Sequence, residues 1–196
     1  MNFEIHKVYH VYNRGNQRQI IFFDDNDYLL FIRKMREQIL PVSNLLAWCL
    51  MPNHFHLMIH VTEKGCQNRI SGTNEISELS YRLGILLSSY TTTTVINNSR
   101  GISGSLFQKR TKSKLIHDQE YMVRCMHYIH QNPFVAGLSE NKLEHWKYSS
   151  FPDYAGFRKG SLCNKNLLFE LTDYDAHNFM KDSYDVLGGD VVKLFY

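Results

Sequence analysis

Long apolar runs and paired cysteines are both missing from this sequence. No run of 18 or more apolar residues occurs, so the sequence predicts no membrane-spanning helix. The first ten residues carry Glu4 and His6 where a signal peptide needs an apolar run, so we expect a cytoplasmic protein. None of the four cysteines forms a C-x-x-C pair, which argues against a zinc ribbon or a redox motif.

Acidic residues are absent from positions 79–117, although the net charge of the whole chain is only +3. The basic residues of that stretch are Arg82, Arg100, Lys109, Arg110, Lys112 and Lys114. Residues 165–196 contain three lysines against six acidic residues, so residues 1–164 carry +6, from 19 basic and 13 acidic residues. This distribution predicts a positive face that binds phosphate. A basic surface that is merely exposed to water, and binds nothing, would show the same distribution of charge.

The order of predicted elements indicates an α+β domain. Of 196 residues, 43% are hydrophobic, which suits one packed domain. Periodicity and turn residues predict strands at 8–13, 45–51 and 54–61, and a strand or arm at 105–116. They also predict a helix from about 25 to 40, a second helix from about 74 and a third at 118–131. The third helix should stop at Asn132-Pro133, and residues 62–73 should form a loop. This is the order of a ferredoxin-like, split βαβ antiparallel sheet with helices on one face. We expect residues 1–164 to form this domain and residues 165–196 an acidic, helical or irregular extension.

The sharpest local motif is Met51-Pro52-Asn53-His54-Phe55-His56-Leu57. Residues i and i+2 of a strand project from one face, so His54 and His56 should lie side by side while Phe55 enters the core. Two such imidazoles are half of a metal site. Two half-exposed polar residues on the wet face of a sheet would give the same pattern.

Further motifs follow in order along the chain: Ser88-Ser89-Tyr90-Thr91, Gly104-Ser105-Leu106-Phe107-Gln108, Tyr128-Ile129-His130-Gln131-Asn132-Pro133, Trp146-Lys147-Tyr148-Ser149-Ser150 and Tyr154-Ala155-Gly156. Together with Tyr12-Asn13-Arg14-Gly15, they make residues 8–165 resemble the REP-associated branch of the single-tyrosine HUH transposases. The resemblance implies a divalent metal, Mg²⁺ or Mn²⁺, held by His54 and His56. It also implies a helical tyrosine that attacks single-stranded, hairpin-forming DNA and leaves a 5′-phosphotyrosine. Tyr90 is the residue we assign to that role, with Tyr81 on the same helix as the fallback.

One position departs from the family pattern. In the family, a helix-borne amide follows the tyrosine by about one helical turn and completes the metal site, but Thr94 stands four residues after Tyr90. Asn97 is our candidate third ligand, and water or Thr94 could fill the same place. The departure leaves room for a domesticated copy with weakened catalysis. His127 and His130 also have a ligand-like i, i+3 spacing, but the resemblance treats this segment as framework.

The candidate phosphate contacts are Arg14, Lys109, Arg110, Lys112 and Lys114. Trp146, Tyr148 and Tyr154 either stack on bases or pack the C-terminal segment against the sheet. The expected partner is single-stranded or hairpin DNA, and the protein acts as a monomer or homodimer. Three functions remain open: a tyrosine strand transferase, a non-catalytic nucleic-acid-binding module on the same fold, and a metal hydrolase that activates water.

The basic residues of the predicted strand or arm at 105–116 give a prediction about the salt dependence of DNA binding. If Arg110, Lys112 and Lys114 each neutralise one DNA phosphate, replacing all three with alanine should flatten the log–log salt dependence of single-strand binding by about 2. Binding should weaken equally for all sequences, because phosphate contacts carry no sequence information. Salt titrations of the wild type and the triple variant measure the slope. An unchanged slope would mean that these three side chains are a solvated surface that does not contact DNA phosphates.

Overall fold

The computed structural model describes residues 2–97, 104–140 and 142–185, without the side chains of Ile96 and Asn97. The strands are β1 (Val8–Arg14), β2 (Ser43–Met51), β3 (His54–Val61), β4 (Asn68–Ser71), β5 (Asn74–Ser77) and β6 (Lys112–Ile116). The helices are α1 (Asp25–Gln38), α2 (Glu63–Cys66), α3 (Glu78–Thr91), α4 (Gln119–Val135), α5 (Phe151–Tyr154), α6 (Lys165–Thr172) and α7 (Phe179–Ser183). A π-helical segment, Thr92–Asn97, continues α3. Within the described ranges, no helix has both the length and the apolar character that crossing a membrane requires.

The main sheet has the strand order β2-β3-β1-β6, and every neighbouring pair is antiparallel. This order, with α1 between β1 and β2 and α3 between β3 and β6, confirms the predicted ferredoxin-like arrangement. In the register of β1 with β3, Tyr12 lies opposite His56 and Arg14 opposite His54. Cross-strand partners share a face of the sheet, so these side chains lie together.

Helices cover both faces of the sheet, which corrects the expectation of helices on one face. A first core, rich in aromatic side chains, includes Phe31 of α1, Phe55 of β3 and Leu86 of α3. A second core lies on the opposite face, where α4 packs against β2 and β3. The physical reason is that β2 and β3 carry apolar residues on both faces, so neither face can be left to water without a hydrophobic cost.

The second core is rich in sulfur. Its buried members include Cys49, Met51, Met58, Met122, Cys125 and Met126. Leu168 of α6 and Phe179 of α7 are also buried there. The described part of the segment after residue 164 therefore packs against α4 and adds to the second core. The four cysteines are free thiols.

The segment between β3 and α3 is more ordered than the sequence predicts. Instead of a loop over 62–73 and a helix from about 74, it forms α2 and a hairpin of β4 with β5. The helix α3 begins only at Glu78, where the Ser77 hydroxyl accepts a hydrogen bond from the Ser80 amide. Strands of four mostly exposed residues carry little periodic signal, so periodicity does not reveal them. The strand predicted over 105–116 is shorter in the structure, where only Lys112–Ile116 forms β6. Arg110 therefore lies before the strand.

Helix α4 does not stop at Asn132-Pro133 as predicted but continues to Val135. Proline lacks an N–H and therefore costs the helix one hydrogen bond, which is tolerated so close to its end. Gly137, two residues after the end of the helix, terminates it: this glycine has φ +69° and its amide donates to the Phe134 carbonyl, while the Leu138 amide donates to the Pro133 carbonyl. Asn132 is therefore helical and lies one turn beyond Tyr128, on the same face.

The end of α4 at Gly137 can be tested with a glycine variant there and a control variant at a glycine inside α3. Gly137→Ala should lower the free energy of unfolding by about 1 kcal/mol, because alanine is strained at a positive φ. Gly84→Ala, at an exposed position inside α3 with open space around it, should raise it by about 0.5–1 kcal/mol. Urea unfolding of both variants measures these changes, and equal effects of the same sign would contradict the described end of α4.

Candidate functional site

His54 and His56 lie side by side on β3, as the alternation of the strand predicted, and the face that they share is the one covered by α4. Their ring centroids are 5.0 Å apart and the rings are nearly perpendicular, at 89°. Phe55 projects to the opposite face and is fully buried in the first core. The turn before β3 and the antiparallel pairing with β1 bring Arg14 directly opposite His54.

Burial keeps both imidazoles neutral. Desolvation, with a smaller effect of the Arg14 charge, lowers the pKa of His54 to about 4, against a weaker opposing effect of a hydrogen bond with Asn132. Desolvation also holds the pKa of His56 well below its usual value. His56 is only 1% exposed because α4 covers it, so the alternative of two half-exposed residues on the wet face of the sheet is wrong for this residue. A neutral imidazole keeps a nitrogen lone pair, which metal coordination requires.

Each histidine also has a polar partner at its Nδ1 atom. The Nδ1 atom of His54 lies 2.6 Å from Oδ1 of Asn53. The Nδ1 atom of His56 lies 2.8 Å from Nε2 of His10, a fully buried residue of β1. Both rings are therefore held at the nitrogen nearer the backbone.

Helix α4 brings Tyr128 and Asn132 over the histidines. The ring of Tyr128 lies 5.4 Å from that of His56 and 5.9 Å from that of His10, edge-on to both. The Asn132 side chain lies close enough to His54 to oppose the lowering of its pKa, and its Nδ2 atom donates to the Tyr128 carbonyl at 2.7 Å. A tyrosine and an amide one helical turn apart thus meet the two histidines.

Tyr90 is not among these residues, so the expected meeting of Tyr90 with the histidines is wrong. Its hydroxyl donates to the Ile21 carbonyl at 2.5 Å, and its ring is fully buried in the first core between Phe22 and Phe31. The amphipathic pattern of α3 indicates that one face of the helix is buried, but it cannot tell which face of the sheet the helix covers. The sheet itself separates Tyr90 from His54 and His56.

Tyr81 and Thr94, the fallback nucleophile and a possible metal ligand, also lie apart from the histidine pair. Tyr81 lies under the guanidinium of Arg69, whose central carbon is 3.9 Å from the ring centroid. Thr94 is fully buried in the π-helical segment. The side chain of Asn97, our candidate third ligand, lies outside the described residues.

A cleft of about 170 Å³ opens beside the two histidines, and we call it the histidine cleft. It is lined by Tyr12, Asn13, Arg14, His54, His56, Gln108, Arg110 and Lys112. The Nε atom of Arg14 is buried there with no hydrogen-bond partner in the described parts of the chain. Of the other predicted phosphate contacts, Lys114 lies opposite His10 on the same face of the sheet, whereas Lys109 is exposed and does not line the cleft.

The segment before β6 is hydrogen-bonded to the end of β1, and these bonds determine the position of Arg110. The amide of Gln108 donates to the Arg14 carbonyl at 2.9 Å, and Nδ2 of Asn13 donates to Oγ1 of Thr111 at 2.9 Å. These bonds flank Arg110 on both sides. The charge of the cleft is therefore part of the fold rather than the property of a loose arm.

The remaining sequence candidates have structural partners. The Nδ1 atom of His127 lies 3.1 Å from the Ser183 hydroxyl, and Nε2 of His130 lies 2.8 Å from the Ser150 hydroxyl. Trp146 Nε1 donates to the Leu50 carbonyl, the Tyr154 hydroxyl donates to the Leu46 carbonyl, and Tyr148 stacks on Tyr28. These three aromatics pack the C-terminal segment against the sheet, which is the second of the two roles expected for them.

A comparison with solved structures finds a similar fold in a REP-associated tyrosine transposase bound to a REP hairpin. The match has 16% sequence identity and a TM-score of 0.57, and it covers 80% of this chain and 83% of that chain. No protein-family model and no curated protein matches the sequence. The chain therefore shares the fold of that transposase.

Sequence reasoning missed the contributions of Tyr128, Asn132 and His10. The i, i+4 spacing of Tyr128 and Asn132 is present in the sequence, but the predicted end of the helix at Asn132-Pro133 conceals it. His10 carries no signal of its own, because its proximity to His56 depends on the pairing of β1 with β3.

The burial of His54 predicts a dependence of stability on pH. The unfolded chain protonates His54 near pH 6.5, whereas the folded chain resists protonation down to about pH 4. Below pH 6.5 the unfolded state therefore binds more protons, and stability falls as the pH falls. Between pH 7 and pH 5 the wild type should lose about 1–2 kcal/mol more than His54→Gln. Urea unfolding at both pH values measures this, and parallel losses in the two proteins would contradict a buried neutral His54.

Proposed function

We propose that this protein is a metal-dependent DNA strand transferase in which Tyr128 is the nucleophile. The observation that carries the proposal is the approach of Tyr128 and Asn132, on one face of α4, to the paired imidazoles of His54 and His56. The shared fold with a tyrosine transposase supports the same class of reaction. The proposed substrate is single-stranded DNA, in particular DNA that forms a hairpin.

The proposed reaction exchanges one phosphodiester for another. The Tyr128 oxygen attacks the scissile phosphorus, a 5′-phosphotyrosine bond forms, and the bond from phosphorus to the 3′ oxygen breaks. The proton lost by the phenol is balanced by the one that the leaving 3′ oxygen gains. Because the phosphotyrosine conserves the energy of the broken bond, a 3′-hydroxyl can later reverse the reaction and rejoin the strand.

The donor set of the site fits a divalent cation. In the described residues no three His, Cys, Asp or Glu side chains are arranged so that they could hold a metal ion together, so a cation would depend on two imidazoles and an amide. His54 and His56 would hold it, with the Asn132 amide beside His54 as the third protein ligand. When bound, such a cation polarises the phosphate and offsets the charge that develops on its oxygens. Imidazole ligands suit Mn²⁺ better than the harder Mg²⁺.

The cationic side chains of the histidine cleft would hold the DNA backbone. Arg14, Arg110 and Lys112 line the cleft, and no acidic residue does so in the parts of the chain that the structure describes. The buried Nε–H of Arg14 needs an acceptor, and a phosphate oxygen is one that matches its charge. These contacts would place the scissile phosphate between Arg14 and the histidines.

A second candidate is a non-catalytic DNA-binding protein on the same fold. The observation in its favour is the closure of the site, since Tyr128 is 4% exposed and His56 1% exposed. In that case the histidine cleft would bind DNA, but no scissile phosphate would reach the Tyr128 oxygen. A water-activating hydrolase remains a third outcome, marked by cleavage without a covalent adduct.

Two phenylalanine variants separate these functions. Tyr128→Phe should abolish a denaturation-resistant protein–DNA adduct while DNA affinity stays within a few-fold of the wild type. Tyr90→Phe is the matched control: it should still form the adduct, although losing its buried hydrogen bond lowers stability by about 1–3 kcal/mol. Gel mobility of labelled single-stranded hairpin DNA in Mn²⁺, after denaturation, measures the adduct.

The outcomes of this experiment are distinct. An adduct that survives in Tyr128→Phe but disappears in Tyr90→Phe would return the role to Tyr90. No adduct in the wild type, with DNA still bound, would favour the binding protein. Cleavage by the wild type and by both variants, without an adduct, would favour the hydrolase.

A further inference from the structure

Three buried or half-buried imidazoles form a row across the face of the sheet that α4 covers. His10 on β1 is fully buried, His56 on β3 is 1% exposed, and His54 follows at the near end of the same strand. His10 is not the direct cross-strand partner of His56, since that place is taken by Tyr12. The contact of His10 with His56 is diagonal, a spacing that long and ring-bearing side chains can bridge.

The atoms that join His10 and His56 restrict the proton of both rings. Nε2 of His10 and Nδ1 of His56 are 2.8 Å apart, so one of them carries the proton and the other accepts it. If Nδ1 of His56 carries the proton, its Nε2 has a lone pair. In the opposite arrangement His56 would be protonated at Nε2 and could not use that nitrogen as a ligand.

His54 shows which arrangement the site favours. Its Nδ1 atom lies 2.6 Å from the amide oxygen of Asn53, an acceptor that selects the Nδ1–H form of His54. Metal-binding histidines generally donate their second ring nitrogen to such an acceptor, which fixes the tautomer and the ring orientation. Asn53 and His10 occupy the same place relative to the two histidines.

The surroundings of His10 hold its ring in position. The ring of Tyr12 stacks on it with centroids 4.8 Å apart, and the ring of Tyr128 meets it edge-on at 5.9 Å. His10 has no exposed surface, so bulk water does not compete for the hydrogen bond with His56. A buried hydrogen bond without that competition is an effective determinant of the tautomer.

We propose that His10 is a positioning residue that accepts a hydrogen bond at Nε2 from the Nδ1–H of His56 and so reserves Nε2 of His56 for a divalent cation. The inference rests on the proposed function, because it assigns a role to His10 within the same site. His10 itself would touch neither the cation nor the DNA.

The test uses two substitutions of His10. Glutamine places an acceptor oxygen close to the position of the histidine Nε2 atom, whereas leucine offers no acceptor. In metal-free protein labelled with ¹⁵N histidine, NMR should show His56 as the Nδ1–H tautomer in the wild type and in His10→Gln. In His10→Leu that preference should be lost. By calorimetry, Mn²⁺ should bind about 10- to 100-fold more weakly to His10→Leu, while His10→Gln stays within a few-fold of the wild type.

Two results would overturn the inference: an Nε2–H tautomer of His56 in the wild type, or Mn²⁺ affinity unchanged in His10→Leu. If His10→Leu does not fold, the tautomer in the wild type and the Mn²⁺ affinity of His10→Gln still decide the question. Failure of the proposed function has a different signature, namely no Tyr128-dependent adduct while the tautomer and the Mn²⁺ affinities are as expected.

Discussion

The burial of both faces of one strand, β3, is the constraint on which the rest of this structure depends. Phe55, Leu57 and Ile59 enter the first core, while His56 and Met58 face the second. Once α4 covers that second face, the imidazoles lose water and their charged forms become unfavourable. The same packing brings Tyr128 and Asn132 to the histidines, so the electrostatics and the geometry of the site have one cause.

Cations surround the neutral imidazoles, and no carboxylate lines the described part of the cleft. Arg14 disfavours protonation of both histidines, and Arg110 and Lys112 add charge of the same sign to the histidine cleft. Such a set of like charges is unfavourable by itself, and an anion that enters the cleft relieves the repulsion. This arrangement of charge would favour the phosphate that the proposed function places in the cleft.

Much of this fold could be predicted because its signals are local. The strand at 8–13, the helix capped by Asp24 and the hairpin through Met51-Pro52-Asn53 all have strong periodicity and turn residues, and they lie where expected. The pairing of His54 with His56 needed only the alternation of a strand. The assignment of Tyr90 failed because amphipathicity reports that a helix face is buried without reporting against which side of a sheet. Tyr128 was interpreted as framework, and its spacing to Asn132 was overlooked because a proline such as Pro133 usually stops a helix, whereas here it is tolerated in the last turn.

The sulfur-rich composition of the second core has a consequence for redox sensitivity. Methionine and cysteine are adaptable and polarisable, so they can follow small shifts of α4 that a layer of aromatic rings would resist. Oxidation of Met122 or Met126 would instead place a polar sulfoxide on the buried face of α4, the helix that carries Tyr128. The sulfoxide would disturb the packing that holds Tyr128 against the histidines, although neither methionine contributes a group to the site, and reduction of the sulfoxide would reverse the change.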